Sequence, residues 1–292
     1  LIDLHIHTSH SADAEHPPQR IFQMAAQIGL HSIAFADHDS AAGLEQGEQL
    51  SAEYGIEFIP GIELSTTHDQ TDLHLLGYMM HWRSDSFRAW LMQIHAEKMR
   101  QARQILQRLQ ELGFAVQMHK VEAQAKGMAP TGSCFLLAMF EEPDNNNDPR
   151  LAPYRPGGAR SDSPFLNFYL DYMAAGKPAF VPLPGVGTAE AIVRLRQAGG
   201  VPVLAHPNRT QIKVVDELVE EGLMGIEAFS TYHDSETNRH WLDVAYNRHL
   251  IVTAGSDFHG RRFKPEIELG GVEGNDDALL APLKRMAQRL IQ

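Results

Sequence analysis

Two histidines one residue apart open the chain, in Asp3-Leu4-His5-Ile6-His7. In a strand, residues i and i+2 share a face, so both imidazoles project together. Five further segments set a histidine or carboxylate in or after an apolar run. They are Ala36-Asp37-His38-Asp39, Gly61-Ile62-Glu63, Leu73-His74-Leu75, Ala205-His206-Pro207 and Asp257-Phe258-His259. Each alone has a plain alternative. His5 and His7 could be solvated loop residues, Asp39 or Ser40 a helix cap, Glu63 a surface glutamate and His74 a hydrogen-bonded core histidine. Together those explanations must hold six times, each at the same end of a different strand. Burying Asp37, His38 and Asp39 without a counter-ion would cost several kcal/mol, a cost that a divalent cation removes. The donors are imidazole and carboxylate without thiolate, a set that suits Zn, Mn or Fe and excludes a thiolate-rich structural zinc site. Their number implies more than one metal.

The elements that must position these donors follow a regular rhythm. Apolar runs at 1–5, 32–36, 56–59, 72–79, 201–205, 224–229 and 250–254 read as strands. Amphipathic stretches at about 18–28, 42–54, 188–198, 214–221, 235–247 and 276–290 read as helices; Gly29 and Gly55 stop the first two. Strands alternating with helices imply a parallel sheet, and many short units favour a nearly closed barrel. Glu63 falls at a strand end on this reading. Pro207 pushes His206 toward extended backbone.

The middle breaks the rhythm. Residues 84–112 read as one long helix with Ala102, Ile105, Leu109 and Leu112 on one buried face, and 141–163 as irregular loop. The expected division is a barrel of 1–84 and 176–292 with a mainly helical, lid-like insertion at 85–175. Trp82, Phe87 and Trp90 are expected in the core of that insertion.

The chain has 292 residues, 43% of them hydrophobic, and a formal charge of −12. Without a long basic run, no duplex-binding surface is expected; a small anionic substrate held by metal remains compatible. The single cysteine, Cys134, excludes an internal disulfide and fits a reducing cytosol, so a cytoplasmic location is expected. No stretch nears the roughly 18 apolar residues of a membrane span, and no secretory signal is visible, although a short N-terminal piece is expected to be missing. Of the sixteen histidines, the ten outside the six named above, including His10, His16, His68 and His233, are expected at the surface or in loops.

In this order, Asp3–His7, Asp13, Ala36–Asp39, Gly61–Glu63, His74, Ala205–Pro207 and Asp257–His259 resemble the PHP (polymerase and histidinol phosphatase) superfamily. The nearest likeness is to its stand-alone, TrpH-type phosphoesterases; Gly176-Lys177-Pro178 and Ala198-Gly199-Gly200 add to it. The resemblance implies a distorted (β/α)7 barrel, α/β in class, with three divalent metal ions. It assigns His5, His7, Glu63 and Asp257 to the first metal. The second takes Glu63 as a bridge with His74 and His206, and the third Asp13, His38 and His259. It further implies hydrolysis of phosphate esters, on nucleotides or short 5′-phosphorylated oligonucleotides, by a hydroxide bridging two metals. Glu63 and Asp257 would fix that pair, with His38 and His259 on the phosphate side. Asp3, Asp37 and Asp39 are expected to orient ligand imidazoles.

The chain departs from the family at Thr131-Gly132-Ser133-Cys134-Phe135, where close relatives carry an Arg and a His that help bind the phosphate or its flanking group. Arg160, Arg209 and Lys177 are the candidate replacements. A histidinol-phosphate-type phosphatase, an amidohydrolase and a non-catalytic metal-stabilised accessory module are the competing readings. An amidohydrolase usually has a metal-bridging lysine, and no lysine stands at a matching strand end. A monomer or weak homo-oligomer is expected.

Overall fold

The computed structural model describes residues 1–69, 71–183, 186–208 and 210–291. Seven strands lie side by side in chain order: β1 (Ile2–Ile6), β2 (Ser32–Phe35), β3 (Glu57–His68), β4 (Thr71–Tyr78), β5 (Val201–Leu204), β6 (Gly225–Ser230) and β7 (Ile251–Gly255). The two ends of the sheet meet: the Asp257 N–H donates to His5 O at 2.8 Å and the His7 N–H to Phe258 O at 2.9 Å. The result is a nearly closed barrel.

The expectation of a wholly parallel sheet fails at β4, which runs antiparallel to both β3 and β5. Only two residues separate His68 from Thr71. That length makes a hairpin and cannot make the crossover a parallel neighbour needs. Strand β3 is also far longer than its apolar start suggested, so Glu63 lies within it rather than at its end. Pro60 and Gly61 look like a stop but sit mid-strand. A Cβ at Gly61 would stand 2.6 Å from Phe35 O, so glycine lets β2 and β3 approach here.

Around the sheet pack α1 (Pro18–Ile28), α2 (Leu44–Tyr54), α7 (Thr188–Gln197), α8 (Ile212–Glu220), α9 (Ser235–Asn247) and α10 (Leu280–Ile291). Gly29 ends α1 in left-handed backbone (φ 75°), its N–H returning to Ala25 O and Ala26 O. Between β4 and α7 lie α3 (Asp85–Glu111), α4 (Met118–Ala125), α5 (Gly132–Phe140) and α6 (Pro164–Phe168). Residues 141–163 carry only short 3-10 turns at Pro143–Asn145 and Ala152–Tyr154.

Helix α3 belongs to two hydrophobic cores. Its first half sends Phe87, Trp90 and Ile94 into the barrel core with Phe35, Ile62 and Leu75. Its second half sends Ala102, Ile105 and Leu109 into a separate core with Phe135, Leu136 and Phe168. Trp82, Phe87 and Trp90 therefore pack in the barrel rather than in the core of the inserted segment, because the helix runs across the barrel before leaving it. Ala179 and Val181 still belong to the second core, and Leu183 and Val186 to the first. No helix among the described residues is long and apolar enough to cross a membrane.

Candidate metal centre

Glu63 is the hub. It projects from β3, fully buried, with five imidazoles around its carboxylate. Oε2 lies 3.3 Å from His5 Nε2, 3.2 Å from His7 Nε2 and 3.1 Å from His38 Nδ1. Oε1 lies 2.7 Å from His74 Nδ1 and 3.0 Å from His206 Nε2. Asp257 Oδ1 stands 3.1 Å from His7 Nε2 and 3.5 Å from His5 Nε2. Asp13 lies 3.8 Å from both His38 and His259. The nine side chains expected to meet do so, from β1, β3, β4 and the segments after β1, β2, β5 and β7.

Seven of the nine fall into three overlapping groups: His5, His7, Glu63 and Asp257; His7, His38 and His259; His38, Glu63 and His74. Whether cations fit can be judged from hydrogen bonding. Among the described residues, His5 Nε2, His7 Nε2, Asp13 Oδ1, His38 Nδ1, Glu63 Oε2, Asp257 Oδ1 and His259 Nε2 are all buried without a hydrogen-bond partner. Unpartnered buried polar atoms are rare and costly. Seven turned toward one another are what a set of divalent cations would satisfy, and the residues fit.

Titration follows from the same packing. Burial raises the Glu63 carboxyl, but the imidazoles of His74, His5 and His38 outweigh it and hold the group well below its usual range. Asp257 is likewise raised by burial yet held well below by Lys264, His5 and His259. Burial opposes charge on His7, while Asp257 and Glu63 raise its pKa to about 9. His5 is raised well above the ordinary value against the same opposition, by Glu227, Glu63 and Asp257. His38 and His259 are pushed well below it, by burial first and then by neighbouring cationic groups, His7 in both cases. Without metal, protons on His5 and His7 balance the carboxylates.

His206 departs from expectation. Its φ is 24°, left-handed rather than extended. Two bonds override the local preference: its N–H donates to Glu227 Oε2 at 2.9 Å, and its Nε2 lies against Glu63. Asn208 is also left-handed, with its N–H on His233 Nε2 at 3.3 Å, so His233 braces this turn.

The three aspartates expected beside the imidazoles act less directly. Asp37 accepts from Thr8 N, Thr8 Oγ1 and Ser11 Oγ. Ser11 Oγ in turn meets His7 Nδ1 at 3.0 Å and accepts the His38 N–H. Asp3 accepts from the backbone of His5, Ser256 and Gly270. Asp39 pairs with Lys98 at 2.5 Å and accepts the Ser65 N–H.

Sequence reasoning missed Glu227, Tyr232, Lys98 and Lys264. Tyr232 OH and Lys264 Nζ each lie 2.5 Å from Asp257 Oδ2, which leaves Oδ1 free. A glutamate inside the apolar run Gly225-Ile226-Glu227-Ala228-Phe229 was the available signal. Lys98 and Lys264 carried none, since their partners are distant in sequence.

Arg160 and Lys177, the described phosphate candidates, form no hydrogen bond or ion pair with the nine donors. Arg160 pairs with Asp171, its Nε 2.9 Å from Oδ2. Lys177 is exposed on a turn. Arg209 lies outside the described residues. The inserted segment does border the centre elsewhere. Ala12, next to Asp13, belongs to the second core, Tyr169 OH donates to Asp72 at 2.9 Å, and Phe165 packs on Phe263.

Comparison with known proteins agrees with this architecture. The model of the PHP domain family matches residues 3–142. The phosphoribosyl 1,2-cyclic phosphate 1,2-diphosphodiesterase of Eggerthella lenta is 28% identical, over 89% of this chain and 94% of that protein. The 3′,5′-nucleoside bisphosphate phosphatase of Chromobacterium violaceum is 27% identical, over 88% and 87%. The 5′-3′ exoribonuclease Rnm of Escherichia coli is 25% identical, over 94% and 92%. A solved protein from Bifidobacterium adolescentis, assigned as a metal-dependent phosphoesterase, superposes with a TM-score of 0.79 at 25% identity, covering 98% of this chain and 96% of that one. Over residues 3–142 the chain is thus similar to the PHP domain family. Its fold is also shared by an amidohydrolase structure from Chromobacterium violaceum, with a TM-score of 0.80 at 23% identity over 99% of this chain and 96% of that one.

Proposed function

We propose that the chain is a metal-dependent phosphoesterase acting on nucleotides or short 5′-phosphorylated oligonucleotides, with three divalent cations (Mn, Zn or Fe). The observation that carries this reading is the Glu63 hub: five imidazoles around one ionised carboxylate, amid seven buried donor atoms without partners. His5, His7, Glu63 and Asp257 would hold the first ion. Glu63, His74 and His206 would hold the second, and Asp13, His38 and His259 the third. Bound cations would supply Lewis acidity, acidifying a water and offsetting charge as the ester breaks.

The chain's own groups set the conditions for that chemistry. Glu63 and Asp257 stay ionised and reach the centre from opposite sides of the barrel seam. Tyr232 and Lys264 occupy the second oxygen of Asp257 and keep its carboxylate in one orientation. His38 and His259, whose protons burial disfavours, offer neutral nitrogens beside Asp13. Residues 85–175 would act as a lid-like insertion over a barrel of 1–84 and 176–292, rooted in the barrel core by the first half of α3. Three relatives support the substrate class: their names specify a phosphoribosyl cyclic phosphate, a nucleoside bisphosphate and, for the exonuclease, RNA. All three carry phosphate esterified to ribose.

Metal analysis joined to a turnover screen tests the reading. The screen covers nucleoside monophosphates, 3′,5′-bisphosphates, 5′-phosphorylated dinucleotides, histidinol phosphate and an amide panel. Turnover of a ribose-linked phosphate, with none of the amides, is expected. Metal uptake without turnover of any ester would replace this reading with that of an accessory module.

A further inference from the structure

Strand β6 supplies none of the nine donors, yet its Glu227 touches two of them. Glu227 is fully buried. Its Oε1 lies 2.9 Å from His5 Nδ1, and its Oε2 accepts the His206 N–H at 2.9 Å. The two histidines serve different parts of the centre. His5 joins the group with His7, Glu63 and Asp257, whereas His206 meets the other oxygen of Glu63. Their rings stack with centroids 5.6 Å apart. Space for this meeting comes from Gly255, at the end of β7. A Cβ there would stand 2.2 Å from His5 Cβ and 2.5 Å from Glu227 Oε1.

We propose that Glu227 is a positioning residue that couples two parts of the metal site. It fixes the proton of His5 on Nδ1 so that Nε2 faces Glu63, and it holds His206 in left-handed backbone through its N–H. The inference rests on the metal reading given above. A carboxylate only accepts, so it requires a donor from both partners. Nδ1–H is thereby set, and the Nε2 lone pair is left for a cation. Left-handed backbone is disfavoured for a residue with a side chain. At His206 it persists because the N–H is anchored on one side and the imidazole on the other.

Glutamine at this position is almost the same shape but offers one acceptor and one donor. If its carbonyl turns to His206, the NH2 group meets His5 Nδ1 and drives the proton to Nε2, against the cation. If the carbonyl turns to His5, the NH2 group opposes the His206 N–H. Either orientation damages one of the two ligands.

The experiment titrates Mn(II) and Zn(II) into the full chain and into Glu227→Gln, beside thermal melts of both metal-free proteins. At least one ion should bind about 10- to 100-fold more weakly in the variant. A lower metal-free melting temperature with parental affinity and stoichiometry would assign Glu227 a merely structural role and overturn the proposal. Should the variant fail to fold, proton–nitrogen correlation spectra of the zinc-loaded parent decide. A protonated, exchange-protected Nδ1 on His5 is expected, and an unprotonated Nδ1 overturns it. A parent that takes up no metal overturns both this inference and the metal reading. A parent that binds, with a variant that binds equally well, overturns this one alone.

Discussion

The two sides of the centre are built differently. Toward the seam between β1 and β7, His5, His7, Asp257 and His259 are closed off, with side chains no more than 4% exposed. Toward β4 and β5, His74 and His206 are 32% and 21% exposed. The closed side is held by many bonds: Asp257 alone meets Tyr232 and Lys264, and Asp3 ties Ser256 and Gly270. On the open side His74 has, among the described residues, a single side-chain hydrogen-bond partner, Glu63. The difference teaches that one side is buried and braced while the other is open to solvent.

Breaking the closed side should cost most. His7→Ala or Asp257→Ala should remove metal and lower turnover by about 1,000-fold or more, roughly 4 kcal/mol of barrier, with the chain still folded. Metal content and far-ultraviolet dichroism check this, and unchanged turnover in both variants would refute the site. On the open side, His74→Ala should cost less, about 10- to 100-fold, and should empty one cation site while the others stay filled. Equal losses from the two sides would erase the contrast.

Protonation sharpens it further. A raised histidine pKa means a proton held below that value, so metal-free His7 keeps its proton up to about pH 9. The stability this proton contributes is complete below the unfolded value of about 6.5 and is lost as pH rises through about 9. Metal needs the neutral ring, so loading at pH 7.5 should release protons, and loading at pH 10 should release far fewer. Calorimetry in buffers of differing ionisation enthalpy measures this. The smallest effect should be that of Arg160→Ala, about twofold or less in KM, because its guanidinium is already engaged by Asp171 at a half-exposed pair.

Much of the closed side could be read from local sequence. His5 and His7 alternate on one strand, and Asp257 and His259 follow an apolar run, so short-range periodicity carried them. Glu63 was identified for a partly wrong reason. Its strand reads as 56–59 but runs on to His68, and the antiparallel turn to β4 leaves no mark in the local pattern. The groups that brace the ligands were hidden because their partners are remote: Glu227 with His5, Lys264 and Tyr232 with Asp257, and Lys98 with Asp39. Nothing in the spacing of a lysine says which carboxylate it will meet. Helix α3 reads as one amphipathic helix, and its division between two cores follows only from what packs against each half.

That division has a mechanical consequence. A rod gripped at Ile94 by one core and at Ala102 by the other has no free joint between them. Lys98 lies in this interval, its ammonium on Asp39, next in sequence to His38. Any displacement of one core against the other would therefore be felt, through the Lys98–Asp39 pair, one residue from His38.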